Sequence, residues 1–117
     1  TASTKIKGAY YSVSPVALKK NLEIFCENKR EYCTVQTENQ GEVLICDVGA
    51  TLTAGIHQTY SANSKVQKGE EKGYFSFGGS TLVVLFEKNK MTFSDDLIKN
   101  TEEGLETWLK MGESIGE

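Results

Sequence analysis

Gly78-Gly79-Ser80 is the stretch of this chain whose residue types and order could do chemistry. It lies inside GYFSFGGSTLVVLFE, Gly73 to Glu87, between an aromatic-rich run and an apolar one. Two glycines give the backbone conformations closed to other residues. A serine hydroxyl placed directly after them can lie against the carbonyl carbon of Gly79. From there it can attack its own preceding peptide bond, an N-to-O acyl shift that leaves an ester. A general base then takes the Ser80 α-proton and the ester leaves by β-elimination. The resulting dehydroalanine hydrolyses to a pyruvoyl group with loss of ammonia. These steps need an activated hydroxyl, a base and stabilisation of an oxyanion. A Gly-Gly-Ser alone also reads as a β-bulge or the mouth of a strand. The chemical reading draws on all three parts together: the aromatic run, the apolar run and a hydroxyl at their junction.

The elements that must position this junction are short and extended. Thr1 to Thr4 reads as a polar leader, and Lys5 to Val13 alternates loosely as a strand until Ser14-Pro15. Val16 to Leu22 fits one helical turn or a loop. Ile24–Cys26 and Tyr32–Thr37 are two β-type runs, with Glu27-Asn28-Lys29-Arg30 as the turn between them. Asn39-Gln40-Gly41 is a further turn. Glu42 to Val48 reads as a strand, Gly49-Ala50-Thr51 as a bulge or bend, and Leu52 to Tyr60 as a second extended run. Ser61 to Glu71 is polar and turns at Lys68-Gly69-Glu70. Tyr74–Phe77 and Leu82–Phe86 flank the Gly-Gly-Ser, and Lys88-Asn89-Lys90 turns the chain back. Ser94 is an N-cap with Asp95 and Asp96 in the first helical turn. The helix runs to about Glu103, and Gly104 takes the C′ position. Leu105 to Met111 alternates again. Seven or eight short strands with one helix give an all-β domain, since a parallel α/β sheet needs more helices than the chain has room for.

Other chemical groups are sparse. His57 is the one histidine and sits in an extended run, where a packed or surface role is commoner than that of a base; it is a weak candidate base for Ser80. Cys26, Cys33 and Cys46 form no Cys-x-x-Cys pair, and no metal site is expected from them. Cys46, with apolar neighbours, reads as an inert core thiol. Asp95-Asp96 and Glu102-Glu103 stand at the two ends of the helix, where capping and solvation account for them. Alternation puts Phe75 and Phe77 on one face and Tyr74 and Ser76 on the other.

The 117 residues make one domain, 1–117, or part of one. A net charge of −3 offers no footprint for nucleic acid. No apolar run reaches the length of a membrane span. An odd cysteine count without a signal peptide fits a reducing, cytoplasmic setting. The chain starts at Thr1 without an initiator Met and reads as a piece of a longer protein.

The run KGEEKGYFSFGGSTLVVLFEKNK, Lys68 to Lys90, resembles the phosphatidylserine decarboxylases, enzymes that cleave themselves at a Gly-Ser bond. The likeness is most specific at Gly78-Gly79-Ser80-Thr81. It extends through Gly41-Glu42-Val43, Val48-Gly49-Ala50, Glu106-Thr107 and Lys110-Met111-Gly112-Glu113, and the opening KIKGAYYSVSPVAL shares it. The resemblance implies a barrel-sandwich hybrid-like fold and cleavage between Gly79 and Ser80. Residues 1–79 would then belong to a β chain and 80–117 would form an α chain headed by a pyruvoyl cofactor made from Ser80. That ketone would form a Schiff base with the amine of phosphatidylserine and accept electrons as carbon dioxide leaves, giving phosphatidylethanolamine. The resemblance also implies peripheral contact with a membrane. It places an aspartate and histidines, the self-cleavage base among them, before Thr1, so the fragment alone is expected to stay unprocessed and inactive. Where the family more often shows Val-Gly-Ser, this chain has Thr53-Ala54-Gly55. Exposed edges left without an upstream segment are expected to favour a homo-oligomer. Two other readings stay open: a pyruvoyl decarboxylase of a soluble amino acid, and a non-catalytic β-module of the same fold.

Overall fold

A computed structural model describes residues 2–7, 28–49, 55–76 and 81–117. Among them are six strands and one helix: β1 (Ala2–Ile6), β2 (Arg30–Gln36), β3 (Glu42–Val48), β4 (Ile56–Gln58), β5 (Gly73–Phe75), β6 (Thr81–Phe86) and α1 (Asp95–Glu102). The architecture is mainly β, as the strand-like runs predict. β1, β2, β3 and β6 form one antiparallel sheet in that order, and β4 and β5 pair separately.

The centre of the large sheet is the β2–β3 hairpin. Its turn forms because Thr37 and Gly41 close on each other. Thr37 N and Oγ both donate to the Gly41 carbonyl, at 2.9 and 2.8 Å, and Gly41 holds φ +70°, a region open to glycine at low cost. This turn fixes the register, with Tyr32 opposite Cys46 and Val35 opposite Val43. One face of the hairpin therefore carries Glu31, Cys33 and Val35 beside Asp47, Ile45 and Val43. The loop between β4 and β5 covers that face. Tyr60 and Val66 from the loop and Cys33, Val35 and Ile45 from the sheet line a cavity of about 200 Å³ there. β6 extends the sheet on the far side of β3, with Thr81 opposite Val48 and Phe86 opposite Val43.

Several boundaries differ from the sequence reading. Residues 2–4 belong to β1 rather than to a polar leader, because Ala2 to Thr4 pair with Thr34 to Tyr32. Asn28 and Lys29 do not turn the chain. Asn28 is fully buried and its Nδ2 donates to the Gly49 carbonyl at 2.8 Å, while Gly49 N donates to the Lys29 carbonyl at 2.8 Å. The β2–β3 ladder thus continues past its last formal pair. Cys33 is the buried thiol, and Cys46, one step out of phase on the opposite face, is half-buried. Leu105–Met111 forms no strand: it is irregular and ends in a turn at Met111-Gly112, with Glu113 N donating to the Lys110 carbonyl at 3.1 Å. The runs over 8–27 and 50–54, including Cys26 and the Thr53-Ala54 departure, lie outside the described residues.

Helix α1 matches its expected span to within one residue. Ser94 stands at the N-cap, yet its side chain makes no capping bond; Leu97 and Ile98 N–H bond to its backbone carbonyl instead. The C-terminus closes as a Schellman motif. Gly104 N donates to Thr101 and Leu105 N to Asn100, with Gly104 at φ +73°. Beyond it the chain returns to the segment that precedes the helix. Thr92 and Glu117 exchange backbone hydrogen bonds at 2.7 and 2.9 Å, and Phe93 packs edge-on against Phe86 at 5.8 Å.

Candidate active site

Gly78, Gly79 and Ser80 lie outside the described residues, together with Phe77, but both ends of that segment are described. At the upstream end Ser76 is tied to β4. Its N–H donates to the Gly55 carbonyl at 2.9 Å, and its Oγ is 3.2 Å from His57 Nε2. At the downstream end Thr81 enters β6 opposite Val48, so the residue after Ser80 is already locked into the sheet. The four residues 77–80 therefore connect the β4–β5 pair to the large sheet.

His57 is exposed and stacks on Tyr74, its cross-strand partner, with ring centroids 4.9 Å apart and planes at 19°. Tyr74 and Ser76 share a face, as alternation predicts, and His57 engages both. The imidazole is thus held at Ser76, which is four positions before Ser80 in the chain. Glycine at 55 and 73 makes this close fit feasible: a Cβ at Gly55 would overlap Ser76 Oγ, and one at Gly73 would overlap the His57 carbonyl oxygen.

A cavity of about 200 Å³ opens next to these residues, lined by Asp47, His57, Gln58, Lys72, Phe75 and Leu82 among others. Its wall holds a polar cluster that the sequence reading did not single out. Glu31 and Asp47 are 2% and 5% exposed and stand directly opposite each other on β2 and β3. Like charges in that position repel, and three groups offset the repulsion. Lys72 Nζ forms an ion pair with Asp47 Oδ2. Lys5, opposite Glu31 on β1, lies 3.6 Å from its Oε1. The Gln58 amide nitrogen donates to Asp47 Oδ2 at 2.6 Å and to Glu31 Oε2 at 3.3 Å. Lys72 also donates to Gln58 Oε1 at 2.9 Å. The sequence carried a signal for this cluster: in REYCTVQ and EVLICDV, Glu31 and Asp47 fall on the same phase of alternation as the inward Cys33, Val43 and Ile45. Among the described residues no cluster of three metal-ligating side chains occurs.

Residues 1–117 match the phosphatidylserine decarboxylase family. The chain is 56% identical over 112 residues to the phosphatidylserine decarboxylase proenzyme of Fusobacterium nucleatum, covering 96% of this chain and 37% of that protein. It is 54% identical over 112 residues to the protein of the same name from Ruminiclostridium cellulolyticum, again covering 96% and 37%. With the corresponding Clostridium botulinum protein the identity is 51% over 112 residues, covering 96% and 38%. The chain thus spans well under half the length of these relatives. No solved structure matches it. A match that runs from Thr1 to Glu117 and takes in the whole Gly73–Glu87 stretch makes the chain a member of the phosphatidylserine decarboxylase family.

Proposed function

We propose that this chain is the self-cleaving portion of a phosphatidylserine decarboxylase proenzyme, and that the whole protein converts phosphatidylserine to phosphatidylethanolamine. The observation that carries the reading is the family match over residues 1–117, with Gly79-Ser80 falling between two anchored strands. Ser80 attacks the Gly79 carbonyl, Gly78 gives the turn its freedom, and the bond between 79 and 80 opens. An intramolecular attack of this kind depends on the two ends of the reacting segment being held. The ladder at Thr81 and the hydrogen bonds of Ser76 supply that holding.

A pyruvoyl group at Ser80 would supply an electrophilic ketone, the chemistry suited to a substrate amine and to the electron pair left as carbon dioxide departs. The residues that line the cavity beside β5 and β6 suit such a group. Ile56, Phe75 and Leu82 line the cavity with apolar surface, while His57, Gln58 and Lys72 would present polar groups to a charged headgroup. The base for self-cleavage is assigned to the part of the longer protein outside these residues, and His57 is the candidate within them. Action on a lipid places the whole protein at a membrane surface as a peripheral protein. Among the described residues no helix is long and apolar enough to cross a membrane.

Intact mass under denaturing conditions tests the proposal. The full-length protein is expected to give two species, one ending at Gly79 and one beginning with a pyruvoyl group at position 80. Ser80→Ala is expected to give one uncleaved mass. His57→Phe, which keeps the stack on Tyr74, is expected to leave cleavage intact; loss of cleavage would assign the base to His57. Carbon dioxide release from phosphatidylserine vesicles but not from free amino acids would separate the lipid enzyme from an amino-acid decarboxylase. An uncleaved full-length protein would sink the reading.

A further inference from the structure

The segment that carries Gly79-Ser80 begins in one sheet and ends in another. Ser76 is fixed to the β4–β5 pair and Thr81 to β3. Cleavage chemistry at residues 79–80 therefore depends on how the two sheets are held relative to each other. The polar cluster lies at that joint. Asp47 is the residue before Val48, the partner of Thr81. Lys72 is the residue before Gly73, which pairs with Gln58 at the end of β4. Lys72 bonds to both Asp47 and Gln58, and Gln58 bonds back to Asp47 at 2.6 Å. The three side chains form a closed ring of contacts between the β4–β5 pair and β3, the strand on which β6 pairs.

We propose that Asp47, Lys72 and Gln58 are positioning residues for self-cleavage at Gly79-Ser80. They set the separation of the anchored ends, and with it the fraction of molecules in which the Ser80 hydroxyl approaches the Gly79 carbonyl. The inference rests on the reading of Gly79-Ser80 as the bond that is cleaved. Its physical basis is the steepness of intramolecular reactions: a displacement of about 1 Å at the reacting atoms costs on the order of a hundredfold in rate. A buried ion pair is also an uneconomical way to gain stability alone, since uncharged residues of similar size often do as well. A geometric role gives a reason for having charges there.

The test uses the full-length protein made by cell-free translation. Cleavage is followed by pulse and chase, and the rate is divided by the folded fraction from urea unfolding. Lys72→Met is expected to slow cleavage per folded molecule by about 10- to 100-fold. Lys72→Arg, which keeps the charge and a donor for both partners, is expected to restore the rate to within a few-fold. The double variant Asp47→Asn/Lys72→Met removes both charges and leaves an acceptor for Gln58. It is expected to recover stability but not rate. Cleavage at the parent rate per folded molecule in Lys72→Met or in the double variant would overturn the positioning role alone. Failure of the unaltered full-length protein to cleave would overturn this inference together with the reading beneath it.

Discussion

Glu31 and Asp47 face each other across β2 and β3, yet their surroundings are unequal. Asp47 receives the ammonium of Lys72 and the amide of Gln58, whereas Glu31 has the same amide at 3.3 Å and a lysine, Lys5, that is 75% exposed. An ion pair with so exposed a partner contributes little. Glu31→Gln is therefore expected to change stability by under about 1 kcal/mol, since it also relieves the repulsion with Asp47. Asp47→Asn leaves Lys72 without its counter-charge and is expected to cost about 3 kcal/mol. Urea unfolding of the two variants side by side measures the difference, and equal losses would contradict this account. Asn28 poses a related case. Its buried amide satisfies the Gly49 carbonyl, so Asn28→Ala is expected to cost about 2 kcal/mol by the same measurement. Asn28 reads as a turn residue from sequence because asparagine commonly makes turns. The distant Gly49 carbonyl that claims it is a tertiary partner, twenty-one positions away, that no local pattern reveals.

Among the elements, those whose geometry is decided locally were legible. β3 spans Glu42 to Val48 as its run of apolar and β-branched residues predicts, and the turn at Gly41 and the helix stop at Gly104 fall where glycine is required. Leu105–Met111 shows the opposite case. Its alternation resembles a strand, but alternation makes a strand only where a neighbouring edge accepts it. Two glycines separate local from tertiary constraint. At Gly104 a Cβ would meet open space, and only the backbone at φ +73° resists a side chain. Gly104→Ala is expected to cost about 1 kcal/mol. At Gly73 the obstacle is the backbone carbonyl of His57, which cannot rotate away. Gly73→Ala is expected to cost about 3 kcal/mol and to part β4 from β5. Thermal unfolding followed by circular dichroism ranks the two, and hydrogen exchange at Thr59, whose N–H bonds to Lys72, reports the parting directly.

For the molecule as a whole, the apolar surface of the C-terminal segment stands out. Trp108 is 79% exposed, with Lys110 over its ring, and Leu105 and Met111 are exposed beside it in sequence. Apolar groups presented this way favour association. The isolated chain is expected to elute earlier in gel filtration as its concentration rises, and Trp108→Ser with Met111→Ser to hold it at monomer mass. Elution unchanged by concentration or by the double variant would contradict the expectation. Composition gave no warning of this surface, because Leu105 and Met111 read equally well as the inward side of a strand.

Cleavage at Gly79-Ser80 would change what the β3–β6 ladder is. In the uncut chain its pairs, from Val43–Phe86 to Val48–Thr81, are contacts within one polypeptide. Once the bond opens, the part from residue 80 onward becomes a separate peptide held by strand complementation, and the pairing of Thr92 with Glu117 folds that peptide on itself. Unfolding then releases two molecules instead of one. The melting temperature of the processed protein is expected to rise with protein concentration, as it does for any dissociating assembly. The uncleaved Ser80→Ala protein, while monomeric, would melt at the same temperature at every dilution.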